Sequence, residues 1–463
     1  MSHYHLIGIG GTGLSAIARL LVELGHSVSG SDMVLSPLAL GLREIGVKIY
    51  KGHDANHVLG ADLIIRSSAV PDVNPEVVAG LNVHIPVVKR IEFLSTLTKG
   101  KKVVAIAGTH GKTTTTAMCA WIFHSLNLDP SFIIGGVSKD LKTNAHAGKG
   151  TFFIIEADEY DRMFLGLKPD VLVFTTIEHD HPDCFPTESS YFDAFRELIH
   201  KVKKDGKIIM CLDDPGVMKV FPTAQKERKV RTYGTSSTAD YTISKITHTL
   251  AQGVSFSIGS DLFPVPIENQ HQLNMKIPGL HNALNAAAAI SVCNECGVIK
   301  EKVFNSLEMF SGTGRRFDIL GSAAGITIIN DYAHHPTEIQ ATIAAARAKY
   351  PDRNIWTVWQ PHTYSRTKTL FSDFTISFNQ SDHVIVSGIF ASREKREEFS
   401  ANLVVEAMDH SDARYIEKLD EIISLLTREL QSGDVLLVLS AGDANQVSSS
   451  VFDNLKEREA NNA

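Results

Sequence analysis

The 463-residue chain has few cysteines and no long apolar run, and these absences exclude several classes of protein. Its five cysteines are too few and too scattered for the disulfide framework of a small secreted domain. No stretch approaches the roughly 18 apolar residues of a membrane span, and the first residues carry neither a basic segment nor a small-residue cleavage site. We therefore expect a cytoplasmic protein without membrane insertion. The cysteines are Cys119, Cys184, Cys211, Cys293 and Cys296.

Cys293 and Cys296 form one C-x-x-C pair inside an alanine-rich helical pattern. A tetrahedral zinc site of the usual kind needs a second pair, and the sequence has none. The spacing therefore favours a structural role for these two thiols over metal or redox chemistry.

An excess of positive charge is also missing. The chain has 45 Lys and Arg against 52 Asp and Glu, which gives a formal net charge of -7. This balance argues against nucleic acid as a partner and against broad binding to anionic membranes. Small anionic ligands would need local positive sites.

The order of predicted elements indicates an α/β protein of three domains. Its length favours two to four domains. Short β-rich runs alternate with helical patterns in three successive blocks, which is typical of parallel sheets. Short alternating strands between about 229 and 277 interrupt the second block and predict a small antiparallel appendage. We expect a Rossmann-like N-terminal domain, a central P-loop domain and a Rossmann-like C-terminal domain, at residues 1–98, 99–312 and 313–463.

The first block opens on a glycine-rich loop, "GIGGTG", between an apolar run and a helical pattern. Gly8, Gly10 and Gly13 follow the G-x-G-x-x-G spacing, and Asp32 comes about twenty residues later. Such glycines permit a tight strand-to-helix turn and a close approach of backbone N–H groups to a diphosphate. A nicotinamide cofactor and a nucleotide sugar would both satisfy this loop.

A second loop, "GTHGKTTTT", begins at Gly108, again between an apolar strand and a helix. It is a P-loop in kind, although Ile106 stands where the common eight-residue form has its first glycine. Lys112 can neutralise phosphate charge, and Thr113 can offer a hydroxyl to Mg²⁺. The residues predicted to hold ATP phosphates are Gly108, Thr109, His110, Gly111, Lys112, Thr113 and Thr114.

Acidic clusters follow the next two long apolar strands. The first is "EADEYD" at 156–161, and the second is "EHDHPD" at 178–183. We expect the two strands to be adjacent in the sheet, so that both clusters lie beside the P-loop and can hold metal ions.

Nine motifs in order resemble the Mur ligases, ATP-dependent enzymes that form amide bonds in peptidoglycan synthesis. They are "GIGGTG", "SGSD", "GTHGKTTTT", "EADEYD", "DHPD", "GLHNALNAAAA", "RRFD", "NDYAHHPTE" and "QPHTYSRT". The resemblance covers the whole chain. It implies that L-alanine is joined to the lactyl carboxylate of UDP-N-acetylmuramate through an acyl phosphate, with release of ADP and phosphate.

The resemblance also implies roles for individual residues. Two Mg²⁺ ions would be held by Thr113, Glu156 and His181. Adenine would meet His281, Asn282 and Asn285, while Arg316 would reach the phosphates of ATP and Asp331 its ribose. The catalytic residues would be Lys112, Glu156, His181 and His334.

Two further sets of residues follow from the same resemblance. The incoming amino acid would meet Tyr332, His334 and Arg366. The nucleotide sugar would be bound by Gly8, Gly10, Gly11, Thr12, Gly13, Ser31, Asp32, Ser67 and Ser68.

Three positions depart from the usual pattern of the family. Thr363 stands where several relatives have a second arginine, and Thr176 where many have asparagine. Tyr160 replaces a more frequent serine. At this position the sequence is similar to that of a related recycling ligase, which joins a whole tripeptide to the same nucleotide sugar. That ligase is one alternative. An NAD-dependent dehydrogenase and a nucleotide-switched regulator are two others.

The choice among L-alanine, L-serine and glycine stays open, and so does a monomer–dimer equilibrium. Because the predicted site draws on several domains, we expect it to be completed by domain closure.

Overall fold

A computed structural model describes residues 1–249, 253–263, 271–298 and 301–462. Within these ranges the chain forms three sheets, one after another along the sequence. This is the predicted three-part α/β architecture. None of the described helices is both long and apolar enough to cross a membrane.

The N-terminal sheet has five parallel strands with the first strand at its centre. The strands are β1 His3–Ile7, β2 Ser27–Asp32, β3 Lys48–Lys51, β4 Leu63–Arg66 and β5 Val87–Lys89. The helices are α1 Thr12–Glu23, α2 Pro37–Arg43, α3 Pro75–Asn82 and α4 Arg90–Leu97, with a short 3-10 helix at Ala55–Val58. The strand order β3-β2-β1-β4-β5 places the carboxyl ends of β1, β2 and β4 side by side. The glycine-rich loop leaves the sheet at that edge.

The central sheet has ten strands. They are β6 Lys102–Ala107, β7 Ser131–Ile133, β8 Ala145–His146, β9 Phe152–Glu156, β10 Val171–Phe174, β11 Lys207–Cys211, β12 Lys229–Gly234, β13 Tyr241–Thr249, β14 Gly253–Gly259 and β15 His271–Met275. Its helices are α5 Lys112–Ser125, α6 Glu188–Lys201, α7 Pro215–Glu227, α8 Leu280–Glu295 and α9 Glu301–Met309, with a 3-10 segment at Tyr160–Gly166. The order is β15-β14-β13-β12-β11-β10-β6-β9-β7-β8.

The antiparallel appendage is smaller than the sequence predicts and is continuous with this sheet. Strands β13, β14 and β15 pair in antiparallel fashion. Strand β12, which lies in the predicted appendage, instead pairs in parallel with β11 over five residues. The sequence did not indicate the parallel pairing of β12, because over six residues a buried parallel strand and a strand of an antiparallel hairpin have similar hydrophobic patterns. Residues 250–252 and 264–270 of the appendage lie outside the described residues.

The expectation that the two acidic clusters follow adjacent strands is wrong. Strand β6, which carries the P-loop, lies between β9 and β10 and pairs in parallel with both. The first cluster follows β9 and the second follows β10, so they flank the P-loop on its two sides. The chain reverses its direction of progress across the sheet at β6, and ligands of open α/β sheets bind at such a point.

The C-terminal sheet has six strands, parallel except for the pairing of its first strand. The strands are β16 Asp318–Ala323, β17 Ile326–Asp331, β18 Ile355–Gln360, β19 His383–Val386, β20 Ala413–Tyr415 and β21 Val435–Ser440, in the order β16-β17-β21-β18-β19-β20. The helices are α10 Pro336–Lys349, α11 Tyr364–Thr369, α12 Phe371–Thr375, α13 Asn402–Ala407, α14 Leu419–Glu429 and α15 Asn445–Asn462.

The C-x-x-C pair lies at the end of α8. Cys293 is fully buried in the same apolar cluster as Cys119 of α5. Burial raises the pKa of Cys293 well above its ordinary value, so the thiol stays protonated and packs as an apolar group.

Candidate active site

The glycine-rich loop of the N-terminal sheet is held by the carboxylate of Asp32, the last residue of β2. The backbone N–H of Gly10 donates to Asp32 Oδ2 at 2.8 Å, and the N–H of Val34 donates to Oδ1 at 3.0 Å. Gly8 has a φ of 89°, the left-handed region that favours glycine. The loop and Asp32 therefore form one unit, as the spacing predicts.

The other predicted residues of this loop lie in different settings. Thr12 begins α1, and Gly11 and Ser68 are exposed. Ser67 packs against Gly8, where an added Cβ would lie 3.0 Å from the serine Cβ. Ser31 is fully buried, and its hydroxyl donates to the buried carboxylate of Glu76 in α3. The side chain of Ser31 therefore faces away from the loop, and only its carbonyl contacts it, accepting from the N–H groups of Gly8 and Ile9.

The P-loop lysine forms its contacts within the loop and with the first acidic cluster. Lys112 Nζ donates to the carbonyl oxygens of Gly108 and Thr109 at 2.6 and 2.9 Å and to Glu159 at 3.0 Å. Burial would lower the pKa of Lys112, but the negative charges of Glu159 and Glu156 raise it. Lys112 is therefore a largely buried lysine whose ammonium form these carboxylates stabilise.

Glycine is required at two positions of the P-loop. An added Cβ at Gly108 would lie 2.1 Å from Thr175 Oγ1, and one at Gly111 would lie 2.5 Å from Asn285 Oδ1. Gly111 also has a φ of 78°. These close approaches bring the loop against β10 and against the start of α8.

A cavity at the junction of the central and C-terminal parts holds most of the predicted ATP residues. Its empty space, counted together with its open mouth, is about 980 Å³. Gly108, Thr109 and Lys112 are not among its lining residues. The predicted residues that line it are His110, Gly111, Thr113, Thr114, His281, Asn282, Asn285, Arg316 and Asp331.

The polar groups of this cavity are partly engaged by the protein itself. Asp331 accepts hydrogen bonds from the N–H groups of Phe317 and Ala333 at 2.6 and 2.7 Å. Burial raises its pKa to about 6, although Arg316 opposes the shift. Asn282 donates to the carbonyl of Pro278 at 2.6 Å in the first turn of α8.

The predicted metal ligands form two groups. Thr113 Oγ1 donates to Glu156 Oε1 at 3.1 Å, and Glu156 Oε2 accepts from the N–H of Gly135 at 2.7 Å. His181 belongs to a second group, with its Nε2 3.7 Å from Glu159 Oε1. Its Nδ1 is buried and has no hydrogen-bond partner among the residues that the structure describes. Burial lowers the pKa of His181, which favours the neutral imidazole that can bind a metal.

The predicted amino-acid side of the site lies on the C-terminal part. Arg366 of α11 is 2% exposed, and its Nε donates to Asp180 Oδ1 at 2.7 Å. Burial would raise the pKa of Asp180, but Arg366 holds it well below its usual range. Tyr332 and His334 meet edge to face with ring centres 5.5 Å apart. Burial holds the pKa of His334 well below its ordinary value, so this ring is neutral.

His110 of the P-loop joins the two parts of the chain. Its Nδ1 lies 3.1 Å from Glu338 Oε1 of α10, and its Nε2 contacts Glu178 after β10. Burial would lower the pKa of His110, but attraction to Glu338 and the bond to Glu178 raise it to about 10. His110 is therefore an imidazolium held between two carboxylates. With Glu178 and His335 it forms the one group of three His, Cys, Asp or Glu side chains among the described residues whose candidate ligand atoms all lie within 4.8 Å of one another. An imidazolium has no free lone pair for a metal, so this group acts as an ion-pair cluster.

Several residues at this junction were not predicted as site residues. Arg90 lies over the glycine-rich loop, since an added Cβ at Gly13 would meet its guanidinium at 1.9 Å, and it pairs with Asp158 at 2.9 Å. Asp180, Glu159 and Glu178 lie in the two acidic clusters that the sequence predicts to hold metal ions, although no individual role was predicted for them. Glu338 and His362 lie within the motifs "NDYAHHPTE" and "QPHTYSRT", which could have indicated them, whereas no sequence pattern indicated Arg90.

Three sequence families match successive parts of the chain. Residues 3–102 match the "Mur ligase family, catalytic domain", residues 106–293 the "Mur ligase middle domain", and residues 315–442 the "Mur ligase, glutamate ligase domain". Together they span all three sheets.

Curated proteins and solved structures agree with these matches. UDP-N-acetylmuramate–L-alanine ligases of Nitratidesulfovibrio vulgaris and of Geobacter sp. (strain M21) are 39% and 40% identical, over 96% and 98% of this chain and 96% and 97% of theirs. A crystal structure of a UDP-N-acetylmuramate–alanine ligase from Thermotoga maritima has a TM-score of 0.83 at 26% identity, covering 99% of this chain and 100% of that one. A murein peptide ligase from Psychrobacter arcticus has a TM-score of 0.72 at 26% identity, covering 98% and 99%. The loops, the cavity and these full-length matches together place the chain in the Mur ligase family.

Proposed function

We propose that this chain joins L-alanine to the lactyl carboxylate of UDP-N-acetylmuramate, using ATP and releasing ADP and phosphate, in peptidoglycan precursor synthesis. The observation that carries the proposal is the cavity between the central and C-terminal parts, where nine residues predicted for ATP face one another. The names of the full-length relatives at 39% and 40% identity support the choice of substrates.

The proposed reaction has two steps. The lactyl carboxylate attacks the γ-phosphorus of ATP, and the bond to the ADP oxygen breaks, which gives an acyl phosphate. The amine of L-alanine then attacks the acyl carbon, loses a proton and expels phosphate. Because two anions meet in the first step, neutralisation of charge is the main demand on the protein. Lys112 supplies one fixed positive charge, and the start of α5 supplies backbone N–H groups.

The binding roles follow the placement of the side chains. The glycine-rich loop from Gly8 to Gly13, with Asp32, Ser67 and Ser68, would bind the nucleotide sugar. Ser31 would act on it only through its backbone. The cavity residues His281, Asn282 and Asn285 would meet adenine, Arg316 the phosphates and Asp331 the ribose. Tyr332, His334 and Arg366 would meet the amino acid.

The donor sets fit the two Mg²⁺ ions that we propose. Thr113 and Glu156 offer neighbouring oxygen atoms, the ligands that Mg²⁺ prefers. His181 offers a buried nitrogen that has no hydrogen-bond partner in the described part of the chain, beside the carboxylate of Glu159. When bound, the ions would neutralise phosphate and carboxylate charge.

We retain residues 1–98, 99–312 and 313–463 as the domain boundaries, and we expect the enzyme to act in the cytoplasm. Each boundary lies between the last element of one sheet and the first strand of the next, which supports this division.

Phosphate release with UDP-N-acetylmuramate and ATP tests the proposal. We expect release to require an amino acid and to be fastest with L-alanine, compared with L-serine, glycine and the L-Ala-D-Glu-diaminopimelate tripeptide. Release with the tripeptide alone would instead support the recycling ligase. Tyr160 and the structural similarity to the murein peptide ligase of Psychrobacter arcticus are the observations that keep that candidate in the test.

A further inference from the structure

The residue predicted to bind the amino-acid carboxylate, Arg366, has most of its donors already engaged. Its Nε donates to Asp180 at 2.7 Å, and its Nη1 donates to the imidazole Nδ1 of His362 at 3.1 Å and to the carbonyl of the same residue. Arginine binds a carboxylate best through two N–H groups on neighbouring nitrogens. Arg366 has only Nη2 without a bond among the described residues, so it cannot offer this pair.

Arg393, unlike Arg366, has two neighbouring guanidinium nitrogens without hydrogen bonds among the described residues. It lies in the segment after β19, and its Nε donates to Asp183 Oδ2 at 2.8 Å. Its guanidinium carbon lies 3.8 Å from the ring centre of Tyr160, whose hydroxyl donates to the same Asp183 oxygen at 3.0 Å. In the described part of the chain neither terminal nitrogen of Arg393 makes a hydrogen bond. One edge of the guanidinium is therefore fixed, while the paired Nη1 and Nη2 remain free.

The segment that carries Arg393 is anchored beside the amino-acid side of the site. Phe390 stacks on His362 with ring centres 5.8 Å apart, and the ring of Tyr160 meets His181 at 5.1 Å. Glu394 accepts from Thr363 Oγ1 at 2.7 Å and from the N–H of Ser365 at 3.1 Å. The next residue after Arg393 is thus bonded to position 363, where the resemblance places a second arginine in several relatives.

We infer that Arg393 is a specificity-determining residue that binds the carboxylate of the incoming amino acid through Nη1 and Nη2. The inference rests on the proposed function. Tyr160 and Asp183 hold the guanidinium in orientation, and Arg366 supplies a single further donor from Nη2. The departures at positions 160 and 363 then have one explanation. Thr363 removes the second arginine found in several relatives, and the ring of Tyr160 supports Arg393, an arginine from a different segment.

Steady-state kinetics of Arg393→Ala test this role. We expect the KM for L-alanine to rise about 10- to 100-fold, the range for loss of a charge-assisted pair of hydrogen bonds. The kcat and the KM values for ATP and the nucleotide sugar should stay within about 2-fold of wild type. The matched control is Arg396→Ala, an exposed arginine of the same segment without an ion pair among the described residues. It should behave as wild type.

A substrate without the carboxylate separates recognition from a purely structural role. Wild type should strongly prefer L-alanine to L-alaninamide, and Arg393→Ala should lose most of that preference. Arg393→Lys keeps the charge but not the paired donors, so we expect its KM for L-alanine to lie between those of wild type and Arg393→Ala. If Arg393→Ala is unstable, the lysine variant still tests the role of the paired donors.

Parallel changes in every kinetic constant, or an undiminished preference over L-alaninamide, would overturn the role of Arg393. Wild-type phosphate release that needs no amino acid would contradict the proposed function itself. The two failures are therefore distinguishable.

Discussion

At the scale of single residues, the P-loop lysine carries the largest expected effect. Lys112 is a largely buried cation bonded to Glu159 and to two carbonyl groups of its own loop. These contacts hold it in place where phosphate oxygens would replace part of them. We predict that Lys112→Met lowers kcat by about 10²-fold or more, since one fixed charge that stabilises a transition state has this order of effect.

The measurement for Lys112→Met is ADP release under saturating substrates, with circular dichroism to show that the fold is kept. Lys99→Met, at an exposed lysine outside the site, is the control and should retain full activity. A folded Lys112→Met protein with near-normal ADP release would refute the assignment.

The departure at position 176 has a local explanation. Thr176 Oγ1 accepts from the N–H of His110 at 3.0 Å, and its carbonyl accepts from the N–H of Thr109 at 2.7 Å. The hydroxyl therefore holds the P-loop in shape, and a threonine at this position is sufficient for that purpose.

At the scale of elements, the N-terminal sheet and α3 enclose a carboxylate with no exposure to solvent. Glu76 accepts from Ser31, and its oxygens lie 3.0 Å from His53 Nδ1 and 2.7 Å from His57 Nδ1. His5 is also near, with its Nε2 at 3.7 Å. Burial would raise the pKa of Glu76, but the hydrogen bonds from Ser31 and His57 and the attraction to nearby His5 lower it to about 2.

This lowered pKa predicts acid sensitivity of the N-terminal domain. A carboxyl group with a lower pKa in the folded state stabilises the fold above its unfolded pKa of 4.5, and this stability is lost as the pH falls towards 2. We predict that Glu76→Gln lowers the free energy of unfolding at pH 7 by about 2–3 kcal/mol. It should also flatten the dependence of Tm on pH between 4.5 and 2.

Differential scanning calorimetry across this pH range measures the effect. Glu44→Gln replaces an exposed glutamate of the same domain and should leave both Tm and its pH dependence unchanged. An equal slope for Glu76→Gln and wild type would show that Glu76 has an ordinary pKa.

At the scale of the whole molecule, polar contacts join the central and C-terminal parts around the cavity. They include the pairs Arg366–Asp180, His110–Glu338, Thr337–Glu178 and Arg393–Asp183. These contacts hold the C-terminal part against the central part. Full closure over the substrates would exclude water, which would otherwise hydrolyse an acyl phosphate.

We predict that closure in solution depends on ligands. Small-angle scattering should show a smaller radius of gyration when an ATP analogue and UDP-N-acetylmuramate are both added, because the ligands bridge the domains. Glu338→Gln removes one charge that pairs with His110, and we expect it to weaken this compaction. Glu398→Gln, at an exposed position, serves as the control. Identical dimensions of wild type with and without saturating ligands would rule out ligand-driven closure.

Much of this architecture could be predicted from local sequence. The P-loop, the glycine-rich loop and Asp32 are short-range patterns, because each places its residues at one strand end within a few dozen residues. Family motifs distributed over the whole chain then favoured a ligase over a dehydrogenase, and the full-length relatives agree. Hydrophobic alternation likewise predicted the three α/β blocks.

The sequence by itself thus determined the classes of loop, the order of the elements and the family, since these depend on contacts close in sequence. Only the tertiary structure decided that β9 and β10 flank β6, that Ser31 faces Glu76, and that Arg393 meets Tyr160 and Asp183. Side-chain direction and strand order depend on packing between segments far apart in the chain. Arg393 lies 210 residues from Asp183, and no periodicity reports a pairing at that separation.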